Sequence, residues 1–126
     1  MILGVGIDII EVKRVEEKII RNEGFKEKVF SPAEIEYCES NSTSKFQHYA
    51  ARFAAKEAFL KASGKGLQLS HDLNEIEITV NSEGKPSVGI SDLIKTALGI
   101  KSLKIHVSLS HLESTACAVV VLETLN

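Results

Sequence analysis

The chain reads as a small α+β domain in which an antiparallel sheet packs against one long central helix. Three observations predict this. The segment Lys45 to Ser63 is built on Ala with Lys, Leu and Glu, and no Gly or Pro interrupts it before Gly64, so helix is its natural state. Runs at 2–10, 76–80, 103–109 and 116–122 are β-prone, either alternating or apolar on both faces. Between the second of these and Ser87 lies Asn81-Ser82-Glu83-Gly84-Lys85-Pro86, whose turn chemistry folds the neighbouring segments into a hairpin.

At 126 residues there is material for one core, so residues 1–126 are read as a single domain. The net charge of −2 argues against a general nucleic-acid or membrane binder, and any attraction to an acidic partner must come from a local patch. Cys38 and Cys117 stand far apart without Cys-x-x-Cys spacing, which suits reduced thiols in a reducing compartment. His48, His71, His106 and His111 show no zinc spacing. The apolar start has no basic leader and is broken by Asp8, so it reads as neither signal peptide nor membrane span, and a cytoplasmic location is expected.

The first strand, residues 2–10, is apolar on both faces, which predicts burial within the domain. Its Gly4-x-Gly6 lacks the third glycine and the turn of a dinucleotide fingerprint, and points instead to close approach by a neighbouring strand or a ligand. Residues 13–22 form a helix with Val12, Val15 and Ile19 inward. Arg14, Lys18 and Arg21 recur on another face; they are either a solvated face, diluted by Glu16, Glu17 and Glu23, or a docking ridge for an acidic protein. Ser31-Pro32-Ala33-Glu34 is a capping box that starts a helix running to about Cys38, followed by a polar loop to Ser44. Ser91 caps a short helix closed by Gly99. The strand at 103–109 puts Leu103, Ile105, Val107 and Leu109 on one face and Lys104, His106, Ser108 and Ser110 opposite; the last, 116–122, reads as a central or interface strand.

Two acids carry the chemical signal. On the central helix the apolar series Phe46, Ala50, Phe53, Leu60 is interrupted at the next expected position by Glu57. Asp8 is the only charge in the first strand. A carboxylate on an apolar face is costly unless a cation, a proton or strong donors meet it. Glu57 pairs with Lys61 one turn on, or lies at the stripe edge, or shares a cation with Asp8; few oxygen-only ligands point to magnesium, which keeps waters and takes other ligands from substrate phosphates.

Gly6-Ile7-Asp8-Ile9, Arg52-Phe53-Ala54-Ala55-Lys56-Glu57-Ala58 and Val107-Ser108-Leu109-Ser110-His111 together resemble the holo-acyl-carrier-protein synthases, short-form 4′-phosphopantetheinyl transferases, in order and approximate spacing. The resemblance implies transfer of 4′-phosphopantetheine from coenzyme A to a serine of apo acyl carrier protein, with release of adenosine 3′,5′-bisphosphate, in fatty acid biosynthesis. It implies Mg²⁺ at Asp8 and Glu57, with Lys61 adding charge on the phosphates and completing the catalytic set. It makes Arg52, Lys56, Lys61, Ser110 and His111 coenzyme contacts and lets Gly64 and Gly66 bring the backbone close to the coenzyme. It makes Arg14 first, Arg21 second and Lys18 third the docking residues for the acidic carrier, and it implies a homotrimer with sites at subunit interfaces. The proton acceptor stays open among Glu57, Asp8 through a water, and free water. Two rival functions share these residues: a domain that binds without transfer, and a Mg²⁺-dependent phosphohydrolase.

Overall fold

The structure, a computed structural model, describes residues 1–66 and 72–125. His71 and part of the polar stretch before the hairpin lie outside them. Strand β1 (Ile2–Glu11) leads into helices α1 (Val12–Arg21), α2 (Phe25–Val29), α3 (Pro32–Glu39) and α4 (Lys45–Ser63). Then come β2 (Ile76–Val80), β3 (Pro86–Ile90), α5 (Asp92–Leu98), β4 (Leu103–His111) and β5 (Thr115–Thr124). Among the described residues the strands form an antiparallel sheet in the order β1-β5-β4 and a separate β2-β3 hairpin. The sequence reading holds at the bounds of α4, at both arms of the hairpin and at the central place of β5. Helix α2 was not anticipated: five residues entered from Gly24, at φ 86°, are too few to show a 3.6-residue period.

Helix α4 departs from the single-stripe reading. Tyr49 through Lys56 and Ala58 through Leu60 are all buried, so the helix is the core, with small alanines letting β1, β5, α1 and α3 close on several sides. Glu57 is the half-buried residue in that run. With exposed Lys61 one turn on, it marks a side of the helix that reaches solvent.

Strand β1 also departs. It is an edge strand covered on one face only. Val5, Ile7 and Ile9 point outward and are 62%, 66% and 71% exposed, while Gly6 and Asp8 turn toward α4. A Cβ at Gly4 would run into the carbonyl oxygen of Ala62, and one at Gly6 into that of Ala58. The close approach read from these glycines is therefore made by α4, and it brings Glu57 and Lys61 over Asp8.

A second packing unit ties the helices to the hairpin. Ser31 caps α3 by accepting from the Glu34 amide, and Glu34 Oε1 accepts from the Ser31 amide at 2.8 Å. Glu34 Oε2 also accepts from the Ile78 amide of β2, and Glu34 Oε1 from the Lys56 ammonium. One capping glutamate thus joins α3, α4 and β2. Cys38, buried beside it, has its thiol pushed up to about 12, chiefly by burial, and both cysteines are free.

Candidate active site

Because Gly6 leaves no side chain between strand and helix, Asp8 and Glu57 line one open cleft of about 520 Å³ with Ile10, Glu11, Arg14, Phe53 and Thr115. A second cleft of about 320 Å³, lined by Glu57, Leu60, Lys61, Gly64 and Gly66, meets the first at Glu57. The Lys61 ammonium donates to Asp8 Oδ1 at 3.1 Å and to the Ile7 carbonyl at 2.9 Å. Burial and the Asp8 charge raise the Glu57 carboxyl above its ordinary range, with Lys61 and Lys18 opposing. A carboxyl whose ionisation is made costlier by burial and by a neighbouring carboxylate is a charge arrangement that a cation relieves. Their oxygen-only donor set fits a hard divalent ion with few protein ligands, so the residues present fit Mg²⁺.

The basic ridge runs into this cleft. Arg14 lines both the acid-pair cleft and a neighbouring groove of about 410 Å³ formed with Glu17, Lys18, Arg21 and Asn22. Arg14 pairs with Glu11 at 3.5 Å, both largely exposed, an interaction weak enough to be exchanged for a partner's acid. The Lys18 ammonium sits 5.9 Å from the Phe25 ring centroid and 5.7 Å from that of Phe53, which brings it toward the cleft wall. Phe53, Glu11 and Thr115 line the cleft without having been singled out from the sequence; Phe53 had been read as core.

Other expected site residues lie elsewhere. Lys56 is fully buried and its ammonium donates to Glu34, to the Val29 carbonyl at 2.7 Å and to the Leu73 carbonyl at 3.1 Å. Three donors with three acceptors leave nothing for a phosphate, so Lys56 is corrected from coenzyme contact to structural cation. The Lys65 ammonium, just past the end of α4, donates to the Ala97 carbonyl near the end of α5. Gly64, at φ 74°, closes α4 in the left-handed conformation, and Gly66 follows at φ 57°.

Arg52, Ser110 and His111 line neither of the two clefts that meet at Glu57. Ser110 and His111 are neighbours on β4 and so point to opposite sheet faces. The Arg52 guanidinium stacks 4.2 Å from the Tyr37 ring centroid, and the His111 ring meets that of His48 at 5.5 Å. Within one chain the expected residues thus fall into two groups, an acid pair with Lys61 and a ring-and-guanidinium cluster at the other end of α4. His106, on the face of β4 opposite the apolar one, pairs with Glu123 at 2.8 Å.

A small α+β domain with an acid pair, a lysine and a basic approach ridge is the arrangement a phosphate-bearing substrate and an acidic partner would meet. Comparison with known proteins narrows it. Residues 4–120 match the family model of the 4′-phosphopantetheinyl transferase superfamily. A holo-[acyl-carrier-protein] synthase of Cytophaga hutchinsonii is 50% identical over 124 residues, covering 95% of this chain and 96% of that protein. A Bacillus anthracis holo-(acyl-carrier-protein) synthase solved with CoA (3′,5′-ADP) superposes with a TM-score of 0.82 at 34% identity, covering 98% of each chain. An ACPS-CoA complex from Chronobacterium ammoniagenes gives a TM-score of 0.86 at 27% identity, again over 98% of each chain. The chain belongs to the 4′-phosphopantetheinyl transferase superfamily, alongside the holo-[acyl-carrier-protein] synthases, and is a transferase of that family.

Proposed function

We propose that the chain transfers the 4′-phosphopantetheine group of coenzyme A to a serine of apo acyl carrier protein in a Mg²⁺-dependent reaction of fatty acid biosynthesis. The observation that carries this reading is that Asp8, Glu57 and Lys61 converge on clefts that open directly onto the basic ridge of Arg14 and Arg21. The carrier serine Oγ attacks the pantetheine-side phosphorus; the bond to the bridging oxygen breaks, and adenosine 3′,5′-bisphosphate leaves with that oxygen. The serine proton passes to a carboxylate or a water in the cleft. No serine or cysteine of this chain is needed as nucleophile, so its work is to align the hydroxyl and neutralise charge.

Asp8 and Glu57 would hold Mg²⁺, which supplies charge neutralisation on the pyrophosphate when bound. Lys61 adds a cation at the Asp8 end of the cleft, and Gly64 with Gly66 leaves backbone accessible beside it. Arg14 and Arg21, with Lys18, steer the acidic carrier and fix its approach, an effect that weakens with salt. Arg52 and His111 contribute to coenzyme binding from the second cluster, and Ser110 does so from the opposite face of β4. The exposed row Val5, Ile7, Ile9 on β1 supports a homotrimer in which a copy of the chain covers that face and brings the second cluster to the first. Among the described residues no helix is long and apolar enough to cross a membrane. Reduced, unpaired thiols go with a cytoplasmic location.

The test is to incubate the protein with coenzyme A, Mg²⁺ and apo carrier protein and weigh the carrier by mass spectrometry. A carrier heavier by one phosphopantetheine is the expected result. Unchanged carrier with cleaved coenzyme makes the protein a hydrolase, and no change in either makes it a binding domain.

A further inference from the structure

We propose that His48 is a positioning residue for the coenzyme, holding the His111 imidazole in place by ring contact without touching the ligand itself. This rests on the assignment of His111 to the coenzyme in the reading above. His111 closes β4 opposite Ala116 of β5, and its side chain is exposed. Among the described residues its imidazole makes no hydrogen bond, and its ring contact is the edge-to-face one with His48, at 5.5 Å and 71°.

His48 in turn has a second ring neighbour. The Tyr37 ring of α3 meets it edge-on at 5.5 Å and 84°, and the Arg52 guanidinium lies over that same tyrosine. Arg52, 2% exposed, donates from Nη1 to the His48 carbonyl at 3.5 Å, and its Nε has no hydrogen-bond partner among the described residues. Tyr37, His48 and His111 therefore form a stack that runs from α3 across the first turns of α4 to the tip of β4. Burial first, then the Arg52 and His111 charges, hold the His48 imidazole below its usual range. It serves as a neutral ring, and what it offers His111 is an aromatic surface.

If the ring is the active feature, its nitrogens are dispensable. We expect His48→Ala to raise KM for coenzyme A about five-fold, the scale of one lost aromatic pair. We expect kcat and KM for the carrier to stay within about two-fold, and His48→Phe to restore the coenzyme KM. In NMR spectra of the ligand-free protein, the His111 Cε1 proton should shift in His48→Ala and return toward its original position in His48→Phe. His111→Ala, measured alongside, should raise the coenzyme KM at least as much as His48→Ala. An unchanged coenzyme KM in His48→Ala, with a raised one in His111→Ala, overturns the positioning role. An unchanged KM in His111→Ala overturns the assignment on which it stands. Failure of His48→Phe to restore affinity overturns the claim that the ring surface is what acts.

Discussion

Lys56 Nζ and Glu34 Oε1 lie 2.6 Å apart at positions where both side chains are shut off from solvent. Burial pulls the lysine below its ordinary range while the glutamate holds it up, so each is the other's buried counter-charge. Removing one partner leaves the other ionised without compensation, which in buried pairs costs about 3–5 kcal/mol. Lys56→Met should therefore lower the urea midpoint steeply, and Glu34→Gln should do likewise by also loosening the Ile78 contact. A Lys56→Met protein of undiminished stability but poor coenzyme affinity would return Lys56 to the phosphate role its sequence position suggested.

Gly6 sets the distance between the strand that carries Asp8 and the helix that carries Glu57. Gly6→Ala forces a methyl against the Ala58 backbone carbonyl, which belongs to a helix hydrogen-bonded throughout and cannot yield cheaply. The expected cost is about 3 kcal/mol, at the upper end for overpacking, with turnover reduced further than stability because Asp8 and Glu57 are pushed apart. Gly89→Ala is the control: a Cβ there meets only the Glu77 carbonyl at 3.9 Å, so stability and turnover should be unchanged. Equal damage from both variants would rule out the spacer role of Gly6.

Much of this was legible in the sequence, for identifiable reasons. Helix α4 and the capping box announce themselves through local chemistry, and Asp8 and Glu57 through polar residues breaking apolar patterns. What failed to show was which surface each residue faces. Lys56 reads as a solvated or ligand-binding cation until Glu34, 22 residues away, is known to lie against it. The two-sided apolar pattern of β1 predicts burial, yet a strand can satisfy it by being covered on one face within the chain and exposing the other. The ring stack of Tyr37, His48 and His111 joins three separate elements, so no spacing in the sequence could reveal it.

Glu57 gives a pH-dependent signature. Its folded-state carboxyl is raised above the unfolded value by burial and by Asp8, so the ionised form opposes folding at pH above the folded value. That penalty fades as pH falls, and vanishes below the unfolded value of about 4.5 where both states are protonated. Glu57→Gln should accordingly raise the thermal midpoint of the ligand-free protein by a few degrees at pH 7, with the gap to the parent closing toward pH 4. Added Mg²⁺ should stabilise the parent and leave Glu57→Gln and Asp8→Asn unmoved, and both variants should lose most turnover. Near-normal rates in both would refute the metal assignment.

Val5, Ile7 and Ile9 put three β-branched side chains in a row on open sheet surface, paired across the strand with Val121, Val119 and Cys117. A contiguous apolar band of this kind normally marks an interface. A charge placed in its middle should be tolerated by the fold, because the Ile7 side chain is two-thirds exposed in the single chain, but not by an assembly that buries it. On the proposed assembly the parent should sediment as a trimer, and Ile7→Asp should keep the parent's circular-dichroism spectrum while sedimenting as a monomer. If the Asp8 cleft needs the Arg52 and His111 cluster of a second copy, turnover should fall with the assembly and recover in part at high protein concentration. A variant that remains assembled and active would move the interface away from β1.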